Sequence, residues 1–151
     1  MTKSTPNLRE RALGYLTRRE YSRAELYRKL QPYAGDEDVD ALLEDFQKRG
    51  WLSDQRYTDQ MVHARRGKVG SLKLAHELRA NGVSDELVAQ AVSEASEEDR
   101  ETALKWWRKK FGTLPASREE WAKQARFLQG RGFGMETIKA VLSGRDIDDF
   151  E

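Results

Sequence analysis

The residues in this sequence best suited to chemistry are cations set among aromatic rings. Residues 64–73 read ARRGKVGSLK, and residues 105–112 read KWWRKKFG, which surrounds two tryptophans with four cations. Lysine and arginine bind phosphate or carboxylate oxygens, and an aromatic ring among them can stack on a nucleobase. The two segments therefore indicate a binding surface for an anionic partner.

The candidate binding residues lie in the middle and last parts of the chain and carry a positive charge or, in one case, an aromatic ring. They are Arg65, Arg66, Lys68, Lys73, Arg79, Trp106, Arg108, Lys109, Lys110 and Arg131. Trp107 shares a helical face with Leu104 and Phe111, which predicts a core position. Trp106 points elsewhere, and it either covers a junction between units or presents its ring to a partner. Because 27 of the 151 residues are Lys or Arg, chance clustering is the competing explanation for the set.

The residue types needed for catalysis or for metal binding are sparse. The chain has two histidines and no cysteine, and the spacing of His63 and His76 fits no metal pair on one helix. Carboxylates occur in runs such as GDEDVD (35–40) and SEEDRE (96–101), which are typical of solvated helix faces. Glycines fall at predicted helix ends rather than in a phosphate-binding loop. We therefore expect a non-enzyme with no catalytic residues, no metal and no cofactor.

Composition narrows the class of protein further. Hydrophobic residues make up 38% and charged residues 35% of the chain, which favours several thin cores over one thick core. No apolar run approaches the roughly 20 residues that a membrane span needs, and the start MTKSTPN lacks a secretory signal. We expect a cytoplasmic protein with no membrane partner, and a monomer by default. The net charge of +1 means that anion binding depends on how the cations are distributed.

Helix signals dominate the chain. Apolar residues recur at helical spacing, as in Val39, Leu42, Leu43 and Phe46. Capping boxes are predicted at Ser22–Glu25, Ser96–Asp99 and Ser117–Glu120, a simple cap at Ser84, and left-handed helix ends at Gly50, Gly82 and Gly132. The predicted helices are about 8–19, 22–31, 37–49, 54–66, 71–81, 85–95, 97–111, 118–130 and 135–143.

The sequence repeats itself at a spacing of fifty residues. LRANGVSDELVAQAV at 78–92 aligns without gaps with LQGRGFGMETIKAVL at 128–142, and a third, looser copy begins at Leu30. Such a period indicates tandem small helical units. We predict an all-α fold of three three-helix, helix-turn-helix-like repeats, covering 8–52, 53–96 and 97–145, in an elongated and curved array.

Helix-turn-helix units can read DNA sequence with their last helix, which then needs cations or amides. Here the first unit's last helix carries six acidic residues between positions 36 and 45, and the second unit's last helix begins with Asp85 and Glu86. These helices would repel the phosphate backbone. The pattern therefore disfavours sequence-specific DNA reading.

Four linked motifs resemble the RecX family of bacterial regulators of the RecA recombinase. They are GWLSDQRY (50–57), GSLKLAHELRANGV (70–83), KKFG (109–112) and RFLQGRGF (126–133). The resemblance implies a tandem array of three-helix repeats that lies in the groove of the RecA–DNA filament and inhibits filament extension, ATPase, strand exchange and SOS-related activity. The family often has arginine at the position of Lys73 and lysine at that of Asn81, and lysine lacks the two-pronged geometry of arginine.

Two alternatives to a RecA filament partner remain open at this point. The protein could be a stand-alone module that binds single- or double-stranded DNA and obstructs it without contacting RecA. It could also be a helical scaffold for some other partner. Binding to DNA with and without RecA, over a range of salt concentrations, would separate these possibilities.

Overall fold

The structure, a computed structural model, describes residues 6–145 and contains nine α-helices and no strand in that range. The helices are α1 (Leu8–Leu16), α2 (Arg23–Leu30), α3 (Val39–Lys48), α4 (Asp54–Arg65), α5 (Ser71–Ala80), α6 (Asp85–Ser96), α7 (Asp99–Lys110), α8 (Arg118–Gly130) and α9 (Met135–Leu142), with a 3-10 turn at Gln31–Tyr33. The predicted all-α class is confirmed. We call α1–α3, α4–α6 and α7–α9 the first, second and third units.

Most helices begin where the sequence predicts, because a side chain caps the first turn. The hydroxyls of Ser22, Ser84 and Ser117 accept hydrogen bonds from the backbone amides three residues on, at 3.1, 3.3 and 3.1 Å. Asp38 does the same for α3, so this helix begins at Val39 rather than at 37.

The predicted capping box at Ser96–Asp99 is wrong. Ser96 is the last residue of α6, and its hydroxyl donates to the carbonyl of Ser93. Asp99 begins α7, but its carboxylate is buried and accepts two hydrogen bonds from Ser71 of the second unit. A contact between units thus takes the carboxylate that the local pattern assigned to a cap.

The left-handed helix ends at Gly50, Gly82 and Gly132 are confirmed, with φ of +77°, +73° and +98°. In each, the amide of the following apolar residue donates to the carbonyl of a core residue at the end of the preceding helix. The bonds are Trp51 to Phe46, Val83 to Leu78 and Phe133 to Leu128. The repeated sequence therefore encodes a repeated turn.

Each unit has its own hydrophobic core. The first centres on Leu26, Leu43 and Phe46, the second on Leu74, Leu78 and Val88, and the third on Trp107, Leu128, Phe133 and Ile138. Three separate small cores match the lean, highly charged composition better than one thick core. The curvature of the array and the unit boundaries at 52/53 and 96/97 stay predictions.

The first and second units meet where α2 approaches the end of α5. Ser22 donates its hydroxyl to the carbonyl of Asn81 at 2.7 Å, and Arg28 donates to the carbonyl of Ala80 and to the Asn81 side chain. The Asn81 amide nitrogen in turn donates to the buried Tyr57 hydroxyl at 2.7 Å. Residues of the first unit therefore bind carbonyls that the end of α5 would leave unpaired.

A basic junction between the second and third units

The backbones of the second and third units are joined directly. Gly70, at the start of α5, donates its amide to the carbonyl of Arg131 at 2.8 Å, and the Leu72 amide donates to the carbonyl of Gly132 at 3.0 Å. Gly70 and Leu72 lie at the start of the second unit's middle helix, and Arg131 and Gly132 lie in the turn before the third unit's last helix. Two backbone hydrogen bonds side by side hold the α4–α5 turn against the α8–α9 turn in one register.

Asp99 completes this contact from α7. Its two carboxylate oxygens accept from the backbone amide and the hydroxyl of Ser71, so a third-unit side chain caps the first turn of α5. Burial raises the pKa of the Asp99 carboxyl, and the hydrogen bonds from Ser71 lower it in part. The first two amides of α5, those of Ser71 and Leu72, thus both donate to groups of the third unit.

Trp106 spans the same junction. Its indole Nε1 donates to the carbonyl of Gly67 in the α4–α5 turn at 3.1 Å. The ring is half-buried, whereas neighbouring Trp107 is buried in the third core and donates to Gln124. The prediction that Trp107 is a core residue is confirmed. Of the two interpretations of Trp106, the structure matches the one in which it covers a junction.

Cations gather around the Trp106 ring. The Arg131 guanidinium carbon lies 3.5 Å from the ring centroid, and the ammonium groups of Lys109 and Lys105 lie 5.2 and 6.0 Å from it. Arg131 also donates to the carbonyl of Lys68 at 3.2 Å. We call Lys68, Lys105, Trp106, Lys109 and Arg131 the basic junction. It brings together residues from three separate segments of the chain.

Arg65 and Arg66 are each paired with a carboxylate. Arg65 binds Glu77 at 2.9 Å, and Arg66 binds Glu98 at 3.2 Å. Both pairs are partly exposed, so each stabilises the fold by about 1 kcal/mol or less. The pairing neutralises much of the charge that the sequence pattern attributes to these two arginines.

The remaining candidates lie on α5 and α7. Exposed Lys73 follows Leu72 on α5, and exposed Arg79 lies two turns further along the same helix. Arg108 is half-buried on α7, and the Lys110 ammonium is 5.8 Å from the Phe127 ring. Whether any of the ten residues contacts a partner stays a prediction.

Sequence reasoning missed Lys105 and Asp99. Lys105 precedes Trp106, so its inclusion in KWWRKKFG was the available signal. No sequence signal indicated the role of Asp99, because its partner Ser71 comes from another unit. Within the described range, no group of three His, Asp or Glu side chains is placed to hold a metal ion. No helix in that range is long and apolar enough to cross a membrane.

The fold and the junction define a class: tandem three-helix-repeat proteins whose units are locked edge to edge. Models of the first, second and third three-helix domains of RecX match residues 9–45, 53–92 and 97–142. The chain belongs to the RecX family.

Similar proteins agree with this assignment. The chain is 43% identical to "Regulatory protein RecX" of Chromobacterium violaceum, over 95% of this chain and 94% of the relative. It is 40% identical to the protein of the same name from Ralstonia pickettii, over 93% and 89% of the two chains. The crystal structure of RecX from Lactobacillus salivarius superposes with a TM-score of 0.77 at 17% identity, covering 93% of this chain and 95% of that one. The last similarity bears on the fold alone.

Proposed function

We propose that this chain binds the RecA–DNA filament and inhibits its extension, its ATPase, strand exchange and SOS-related activity, acting in the cytoplasm without catalytic chemistry. The curated relatives are named regulatory proteins, and the motifs resemble a family of RecA regulators. The observation that carries the proposal is the basic junction, in which Lys105, Lys109 and Arg131 of the third unit surround one ring and Arg131 is hydrogen-bonded to the backbone of exposed Lys68 in the second unit.

The mechanism follows from how the junction is built. Paired backbone hydrogen bonds and the Asp99–Ser71 contact fix the spacing between the second and third units. A rigid array that touches two filament subunits opposes any change in their relative position. ATP turnover and strand exchange require such changes, so bridging would inhibit both.

A stand-alone DNA-binding module is the second candidate, and Trp106 among lysines is what favours it. However, the indole nitrogen is occupied by Gly67, and the Arg131 guanidinium carbon lies 3.5 Å from the ring centroid. A base could stack there only if Arg131 moved away. The geometry therefore supports electrostatic contact with a filament more than base stacking.

The experiment is to measure binding to a labelled single-stranded oligonucleotide with and without RecA and a nucleotide cofactor, across a salt series. We expect the coated strand to be bound at least about tenfold more tightly than the bare strand. Equal affinity for both strands, with a steep salt dependence, would establish the DNA-binding module instead. If the protein bound neither the bare nor the coated strand, the remaining hypothesis would be a helical scaffold for another partner.

A further inference from the structure

Two large apolar side chains are exposed on the helix starts that meet between the second and third units. Leu72, in the first turn of α5, is 55% exposed, and Met135, the first residue of α9, is 46% exposed. A Cβ added to Gly134, the residue before Met135, would lie 3.6 Å from a methyl carbon of Leu72. Because Leu72 also donates its amide to Gly132, the two helix starts are held together. We call Leu72 and Met135 the apolar pair.

The other large apolar side chains exposed within residues 6–145 have a local explanation. Tyr33 lies under Arg11, whose guanidinium carbon is 3.7 Å from the ring centroid. Trp51 packs edge-on against Phe46, with ring centroids 5.5 Å apart, and Leu114 lies beside Gly144. The apolar pair differs because its two members come from different units and lie on helix starts that are held together at the junction.

The charge around the apolar pair is mainly positive. On α5, the exposed face continues from Leu72 through Lys73 and His76 to Arg79. On α9, Lys139 lies one turn from Met135, and Glu136 is the exposed carboxylate of that first turn. The neighbouring acids Glu77, Glu98 and Asp99 are bound to Arg65, Arg66 and Ser71. Taken together, the two helices expose three cations, Lys73, Arg79 and Lys139, and one carboxylate, Glu136.

We propose that the apolar pair and the cations beside it form a docking site for an acidic protein segment that carries a large apolar side chain. The apolar side chain packs between Leu72 and Met135, and carboxylates on either side bind Lys73, Arg79 and Lys139. This goes beyond the proposed function, since it names the chemistry of the partner surface and holds whether or not that surface belongs to RecA.

A protein segment explains the site better than nucleic acid does. Phosphates would satisfy the lysines but would leave Leu72 and Met135 in water. Removing two such side chains from water favours binding by roughly tenfold or more, after the cost of ordering the partner. An anionic partner of any kind would explain the exposed cations. Only a partner that also carries an apolar group explains the exposed apolar pair beside them.

The test uses the full chain and three labelled probes: an Asp/Glu-rich peptide with one central Leu, the same peptide with Ser in that place, and a short oligo-dT. We expect the Leu peptide to bind about tenfold more tightly than the Ser peptide, a difference of about 1.4 kcal/mol. The variant Leu72→Ser/Met135→Ser should lose this preference. The matched control Leu114→Ser, at an exposed leucine between α7 and α8, should keep it.

Three results would overturn the proposal: equal binding of the two peptides by the native protein, a preference that survives Leu72→Ser/Met135→Ser, or binding of oligo-dT alone. Circular dichroism confirms that the variants are folded, which is expected because both side chains are exposed. A second readout is protection of the apolar pair in methyl NMR when the Leu peptide is added. No RecA is present, so failure of the filament proposal and failure of this one are separate results.

Discussion

Gly70 and Gly132 approach each other so closely that neither position has room for a Cβ. A Cβ on Gly70 would clash with the carbonyl of Gly132, and one on Gly132 would clash with the backbone and Cβ of Lys73. Gly132 also has φ of +98°, in the left-handed region that side chains avoid. This contact between two turns sets the distance between the second and third units.

Gly132→Ala should therefore weaken both the fold and the proposed inhibition of RecA. The strained backbone and the clash together should lower the free energy of unfolding by about 2 kcal/mol or more. Gly130→Ala is the matched control, since Gly130 ends α8 and a Cβ there meets nothing within 4 Å. Urea unfolding compares them, and equal stability of the two variants would show that the close contact is not required.

Removing the Asp99 carboxylate should destabilise the junction. Asp99→Ala leaves the buried Ser71 amide without an acceptor, which should cost about 1–3 kcal/mol in urea unfolding. Asp99→Asn should cost less, because its amide oxygen still accepts from Ser71. A loss in Asp99→Asn as large as that in Asp99→Ala would contradict this account.

The stability of the native protein relative to Asp99→Asn should also depend on pH. Burial raises the folded-state pKa of Asp99 above its ordinary value of 3.8, so the folded state holds the proton more tightly than the unfolded state. The contribution of this proton to the free energy of unfolding is fully present below a pH of about 3.8. It is lost as the pH rises through the raised pKa of the folded state. Lowering pH from neutral should therefore shift the difference in unfolding free energy toward the native protein. The small cavity beside Asp99 is also lined by the charged residues Arg65, Arg66, Glu94 and Glu98. The comparison with Asp99→Asn is therefore needed to separate the pH dependence due to Asp99 from theirs.

Trp106→Phe should affect stability more than it affects binding. The substitution removes the hydrogen bond to the Gly67 carbonyl, which should cost about 1 kcal/mol, while a ring remains beneath Arg131. We expect affinity for RecA-coated DNA to stay within about twofold. A large loss of affinity at unchanged stability would instead place Trp106 in direct contact with the partner.

Arg28 and Asn81 should be energetically coupled across the junction of the first and second units. The Arg28 guanidinium donates to the Asn81 side-chain oxygen at 2.7 Å. A double-mutant cycle of Arg28→Ala and Asn81→Ala, followed by urea unfolding, should give a coupling energy of about 0.5–1 kcal/mol. Additive effects would show that this exposed contact is not maintained in solution.

Local patterns predicted the helices well because their causes lie within a few residues. Ser22, Ser84 and Ser117 cap as expected, and the glycine turns recur at the predicted places. The first helix was predicted to reach 19 but ends at Leu16. Beyond it, the Arg19 guanidinium carbon lies 3.7 Å from the Tyr21 ring centroid, and Arg19 binds Glu25 at 2.7 Å. These contacts favour a turn over another helical turn.

The site was less predictable because it forms only when units dock. The sequence identified most of its cations, but not that Arg131 would lie over Trp106 or that Arg65 and Arg66 would be paired with acids. The Asp99–Ser71 contact joins residues 28 positions apart, which no local pattern specifies. The spacing of residues in the sequence therefore indicated which side chains could bind an anionic partner. The packing of the units against one another determines which of those cations are left without a carboxylate nearby.

The central claim is that the basic junction is the surface that acts on RecA. Its most direct test is inhibition of the DNA-dependent ATPase of RecA by Lys68→Glu/Lys109→Glu, compared with Arg18→Glu/Lys48→Glu, which changes the same charge on exposed residues of the first unit. We predict that the junction variant needs about tenfold more protein for half-inhibition, and that the control stays within about twofold of the native protein. Unchanged inhibition by the folded junction variant, or an equal loss in the control, would contradict the claim.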